Sequence, residues 1–105
     1  MAGSSTMTVE VALPPEQAEA AVYQAFLQAG LESVAGGGGV MRGSVGMSWA
    51  SWGEQVSATI GHGPQGAVVQ LHSQSALPTT LIDFGRNRKN LEKVVAAMRG
   101  LAPVV

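Results

Sequence analysis

The chain has 105 residues, 46% hydrophobic and 12% charged, with six Lys and Arg against seven Asp and Glu for a net charge of −1. That length makes one domain and excludes an enzyme with a cleft between two lobes. The lack of cysteine excludes disulfides, thiolate zinc and iron–sulfur sites, and cysteine nucleophiles, while the balanced charge favours neither nucleic acid nor an anionic membrane.

The opening residues Met1 to Thr6 are small and polar and are expected to be frayed. They show no basic segment followed by an apolar one, so a cytoplasmic protein is expected, and no apolar run approaches the roughly 18–20 residues of a membrane span. Thr8 to Leu13 alternates as a strand with Val9, Val11 and Leu13 on one face. Pro14-Pro15 ends it, and Pro15 suits the first position of a helix, where a missing N–H costs nothing. The helix runs from Glu16 to Ala29 on a stripe of Ala18, Val22, Ala25, Phe26 and Ala29, and Gly30 stops it.

A glycine-punctuated β region follows. Leu31 to Ala35 and Val40 to Val45 read as strands around a turn at Gly36–Gly39. The glycine run precedes a strand and lacks a following Lys-Ser/Thr, so it is a turn and not a phosphate loop. Gly46 to Gly53 is a connection that carries Trp49 and Trp52. Gln55 to Gly61 and Ala67 to Ser75 make a hairpin around Gly63-Pro64-Gln65-Gly66, and Leu77-Pro78 ends it. The last element is a helix that begins near Phe84, with Asp83 as N-cap and Gly100 and Pro103 at its close. Gly85 in its first turn points to an irregular start or a close backbone approach.

The order β-α-β-β-β-β-α predicts a two-layer α+β domain, one curved antiparallel sheet with both helices packed on one face. The hairpin register follows from its pattern. With Val56, Ala58 and Ile60 facing the core, their partners are Ser73, Leu71 and Val69. The other face then pairs Gln55 with Gln74, Ser57 with His72, and Thr59 with Gln70, a polar surface without charge. Such a face is either simply solvated or a contact surface, since purely solvated faces usually carry Lys and Glu.

Among candidate sites, His62 and His72 fall on opposite faces and roughly 17 Å apart, at about 3.4 Å per residue, so no metal site is expected. Glu54 and Asp83 are the carboxylates placed for acid–base work, but no nucleophile accompanies them. Arg86, Arg88, Lys89, Lys93 and Arg99 all lie on the last helix; Arg86 at its start suggests an anion site, and a solvated face is the plainer reading. Trp49 and Trp52 are the aromatic candidates for a binding surface.

Ser51-Trp52-Gly53-Glu54, Ser73-Gln74-Ser75 and Asp83-Phe84-Gly85-Arg86-Asn87 with Asn90 resemble a small bacterial domain family with an S-W-G-E, S-x-S, D-[WF]-G-[KR]-N-x-x-N signature. The element order also resembles that of TATA-binding-protein-like folds, whose DNA-binding members use a basic face that this hairpin lacks. The resemblance implies a cluster near the start of the last helix, with Glu54 meeting Arg86 or Lys89, and with Asp83 and Asn87 hydrogen-bonding the strand backbone. The functional expectation is a non-enzymatic binding or interaction domain without cofactor, partnering another protein or a second copy through Gln55, Ser57, Thr59, Gln70, His72 and Gln74. The alternative is a small-molecule or anion pocket between sheet and C-terminal helix, built from Trp49, Trp52, Glu54, Asp83, Arg86 and Asn87.

Overall fold

A computed structural model describes residues 3–46, 53–75 and 85–105. Trp49, Trp52, Asp83, Phe84 and the Leu77-Pro78 stop lie outside the described residues. The elements are β1 (Ser4–Val11), α1 (Pro15–Gln28), β2 (Glu32–Gly37), β3 (Val40–Val45), β4 (Glu54–Gly63), β5 (Gly66–Ser75) and α2 (Arg86–Arg99). The strands form one antiparallel five-stranded sheet in the order β1-β5-β4-β3-β2, and the architecture is the expected α+β one. No helix among the described residues is long and apolar enough to cross a membrane.

The hairpin has the register its alternation predicts. Val56 pairs with Ser73, Ala58 with Leu71 and Ile60 with Val69, and these six side chains are buried. Both helices cover that face. Leu91, Val94 and Met98 of α2 and Ala18, Val22, Ala25 and Phe26 of α1 complete one core with the strands. Burying such side chains contributes roughly 1.5–3 kcal/mol each, so the alternation in β4 and β5 fixes which face looks inward.

β1 begins earlier than its sequence suggests. Ser4, Ser5 and Thr6, expected to be frayed, pair with Gln74, Ser73 and His72. β5 runs on to Ser75, and its outer edge offers ladder hydrogen bonds that small polar residues fill as well as apolar ones. At the other end the chain returns to β1. Ala12 N–H bonds Pro103 O at 2.9 Å, and Val105 N–H bonds Glu10 O at 2.8 Å.

α1 starts at Pro15, as expected, after Pro14. Its end is a Schellman turn. Gly30, at φ 86°, donates its N–H to Leu27 O, and Leu31 N–H bonds Phe26 O at 3.1 Å. Leu31 and Phe26 then meet over Gly43 of β3, where a Cβ would stand 3.0 Å from Leu31 Cδ2 and 3.3 Å from Phe26 Cδ2. The glycine lets the end of α1 sit down on the sheet. α2 starts differently from the reading of Asp83 as cap. Its N-cap is Gly85 in the left-handed region, φ 75° and ψ 9°. A left-handed entry favours glycine, which is why Gly85 stands where the interior of a longer helix was expected.

Candidate functional site

Two polar regions lie on opposite sides of the sheet. The first is buried under the start of α2. On β5 the apolar alternation Val69, Leu71 continues into Ser73, which is 0% exposed. Asn87 and Asn90, one turn apart on the face of α2 that meets the sheet, come down over it at 0% and 7% exposure. Ser73 Oγ donates to Asn87 Oδ1 at 2.6 Å and accepts from Asn90 Nδ2 at 3.3 Å. Asn90 Nδ2 also donates to Glu54 Oε1 at 3.2 Å, and Asn87 Nδ2 donates to Ser75 Oγ at 3.2 Å. Glu54 is 3% exposed. Buried polar groups cost free energy unless they are paired, and these are paired with one another.

The motif residues Glu54, Ser73, Ser75, Asn87 and Asn90 therefore converge. Glu54 meets Asn90, and Asn87 bonds the side chains of Ser73 and Ser75. Helical spacing explains which residues of α2 take part. Positions 87, 90, 91 and 94 point into the sheet and are buried, whereas Lys89 and Lys93 are exposed and Arg86 is half-buried. The Nε of Arg86 is buried without a hydrogen-bond partner among the described residues. The cluster ties helix to sheet.

The second region is the face of the sheet that the helices leave open. Gln55, Ser57 and Thr59 of β4 and Gln70, His72 and Gln74 of β5 lie side by side there, as the register predicts. The neighbouring strands extend the rows. Thr6 of β1 stands beside His72, and Arg42 of β3 beside Ser57, so Thr6, His72, Ser57 and Arg42 form one line across four strands. Arg42 thus puts a charge on a face whose hairpin carries none, and it has no carboxylate partner among the described residues.

His72 is held at both ring nitrogens. Nδ1 lies 3.0 Å from Thr6 Oγ1, and Nε2 lies 3.3 Å from Gln74 Oε1. With the ring neutral, the arrangement is satisfied when Nε2–H donates to the Gln74 carbonyl and Nδ1 accepts from the threonine hydroxyl. Beside it is a depression of about 160 Å³ lined by Arg42, Gln55, Ser57, His72 and Gln74, with sheet backbone at Gly43 and Val56 as floor. A second depression of about 200 Å³ adjoins it, lined by Ser33, Arg42, Ser44 and Gln55. Arg42 and Gln55 belong to both, so the two form a trough across β5, β4 and β3 towards β2.

His62 pairs with Ala67 and His72 with Ser57, which puts the two rings on opposite faces. No group of three His, Cys, Asp or Glu side chains that could hold a metal occurs among the described residues. Sequence reasoning missed two contributors and had Asn90 only as part of the motif. Arg42 was visible only as an isolated base, because its row depends on the β3–β4 register. Thr6 lay in a segment expected to be frayed. Asn90 carried a signal, its spacing of three from Asn87, which places both on one helix face.

No family model and no curated protein matches the chain. Among solved structures, the crystal structure of Ara h 8.0201 superposes with a TM-score of 0.47 at 10% identity, covering 94% of this chain and 97% of that one. At that level the likeness says nothing about what this chain binds.

Proposed function

We propose that the protein is a non-enzymatic binding domain whose working surface is the open sheet face, and that the trough at Arg42 takes a small polar molecule with a carboxylate or phosphate group. The observation that carries this reading is that an Arg42 guanidinium without a carboxylate partner among the described residues and a His72 held at both nitrogens line one depression. A guanidinium offers several N–H donors in a planar fork suited to such anions, and Gln55 and Gln74 supply amide donors and acceptors beside it. His72 has both ring nitrogens occupied, which suits a wall that orients a ligand. The buried cluster on the other side of the sheet supports a division of labour, with Glu54 and Asn87 joining helix to sheet and the open face left for recognition.

The test is a titration with a panel of small mono- and dicarboxylates and inorganic and organic phosphates, followed by amide chemical shifts. Binding is expected to move the signals of Gln55, Ser57 and His72. Arg42→Ala is expected to weaken the affinity at least tenfold, since a hydrogen bond to a charged group contributes about 1.5–3 kcal/mol. Shifts confined to other parts of the molecule, or an Arg42→Ala variant that binds as well as the parent, would remove the assignment.

A further inference from the structure

The sheet has two outer strands, and they are protected unequally. β2 is irregular. Its register with β3 shifts between Glu32 and Ala35, Ser33 has φ 54°, and the strand ends in glycine. Bulges and short, irregular edges of this kind block pairing with another chain. β1 has none of these devices. Its register with β5 is continuous from Ser4 to Val11, and it contains no Pro, Lys or Arg.

Backbone geometry shows which part of the β1 edge is free. Gly3 O accepts from Ser75 N–H on β5, so odd-numbered residues turn their ladder groups inwards. Glu10 O and Ala12 N–H bond the C-terminal segment on the opposite side, so even-numbered residues turn theirs outwards. Glu10 O and Ala12 N–H are taken by residues 103–105, and the outward N–H and C=O groups of Ser4, Thr6 and Thr8 have no partner among the described residues. That set is symmetric about Thr6. An antiparallel copy of the same strand satisfies all of it, Thr6 with Thr6 and Ser4 with Thr8 in both directions, and then meets the covered segment and stops.

The charges beside this edge are arranged about the same point. Asn90 bonds Ser73, and Ser73 pairs with Ser5, so position 90 of α2 lies level with Ser5, one residue from the middle of the free edge. Arg88 and Glu92 lie on either side of it, exposed and joined at 3.1 Å. Reversal about that point brings Arg88 of each copy opposite Glu92 of the other. An open groove of about 310 Å³ runs along the same flank, lined by Met7, Thr8, Val9, Glu92, Val95 and Arg99. We infer that β1 pairs edge to edge with β1 of a second copy of this chain, antiparallel about Thr6, so that two sheets become one with both open faces on the same side.

The mass in solution by light scattering, and amide hydrogen exchange at low and high protein concentration, test this on the natural sequence. A dimer is expected, with the N–H groups of Ser4, Thr6 and Thr8 exchanging at least about tenfold more slowly where it forms. Thr8→Pro removes an outward N–H that the monomer does not use, at an edge position that tolerates proline, so the mass should halve while the circular dichroism spectrum is kept. Should that variant fail to fold, Glu92→Arg is expected to weaken the dimer several-fold, and Arg88→Glu added to it to restore it. A monomer at every concentration, a dimer whose Thr6 and Thr8 amides exchange freely, or one insensitive to both Thr8→Pro and Glu92→Arg overturns the pairing. None of these outcomes bears on the anion titration at Arg42, which reads the open face of either species.

Discussion

Asn90 shows how far a single residue can be understood. Its amide nitrogen supplies donors to Glu54 Oε1 and to Ser73 Oγ, both buried. Asn90→Ala removes both donors and leaves polar atoms away from water, a change that costs about 1–3 kcal/mol. At roughly 4–8 °C per kcal/mol for a domain near this size, the melting temperature should fall by at least about 4 °C. Lys93→Ala, on the exposed side of the same helix, should stay within about 0.5 kcal/mol of the parent. Calorimetry of the two variants decides the matter, and equal melting temperatures would show that the cluster is not holding α2 to the sheet. Much of this cluster was legible. The alternation of β5 put Ser73 on the core face, and that fact alone required a buried polar partner opposite. Which partner was not legible, because it depends on where α2 begins, and its start was read two residues early.

That start belongs to the scale of the element. Asp83 is a good cap by residue type, and cap preference is a local rule. The structure instead begins α2 after a left-handed Gly85, where a Cβ would meet no atom of the described residues within 4 Å. Space is therefore not what requires glycine there; backbone conformation is. Gly85→Ala should cost about 1–2 kcal/mol, the penalty for an L-residue in the left-handed region. Urea denaturation should show a lower midpoint with an unchanged slope, and an unchanged midpoint would mean that the chain enters α2 by another conformation in solution. The same contrast of local and distant causes explains β1. Local pattern found Val9 and Val11, whereas Ser4 to Thr6 are ordered by the length of β5, which comes more than sixty residues later. Elements fixed by their own alternation, such as β4 and β5, were legible down to the register. Elements fixed by a distant neighbour were not.

At the scale of the whole molecule, the C-terminal segment covers one end of the β1 edge, and under the proposed pairing it sets the length of edge open to a second chain. Val105 and Pro103 occupy the outward groups of Glu10 and Ala12, and Val104 bridges Val11. Deletion of residues 103–105 frees that half of the edge, so the outward set grows from Ser4, Thr6 and Thr8 to include Glu10 and Ala12. Its centre then moves from Thr6 to Thr8, and Arg88 and Glu92 no longer flank the axis on which the strands pair. Backbone pairing and charge pairing favour different registers, and a strand with competing registers is prone to slip and to recruit further chains. The truncated protein is therefore expected to show species larger than a dimer by light scattering at concentrations where the full chain does not, with slowed exchange spreading to the Glu10 side of β1. It should still fold, because its core side chains on α1, α2, β4 and β5 are untouched. If its mass distribution matched that of the full chain, the C-terminal segment would not be what sets the length of the pairing edge.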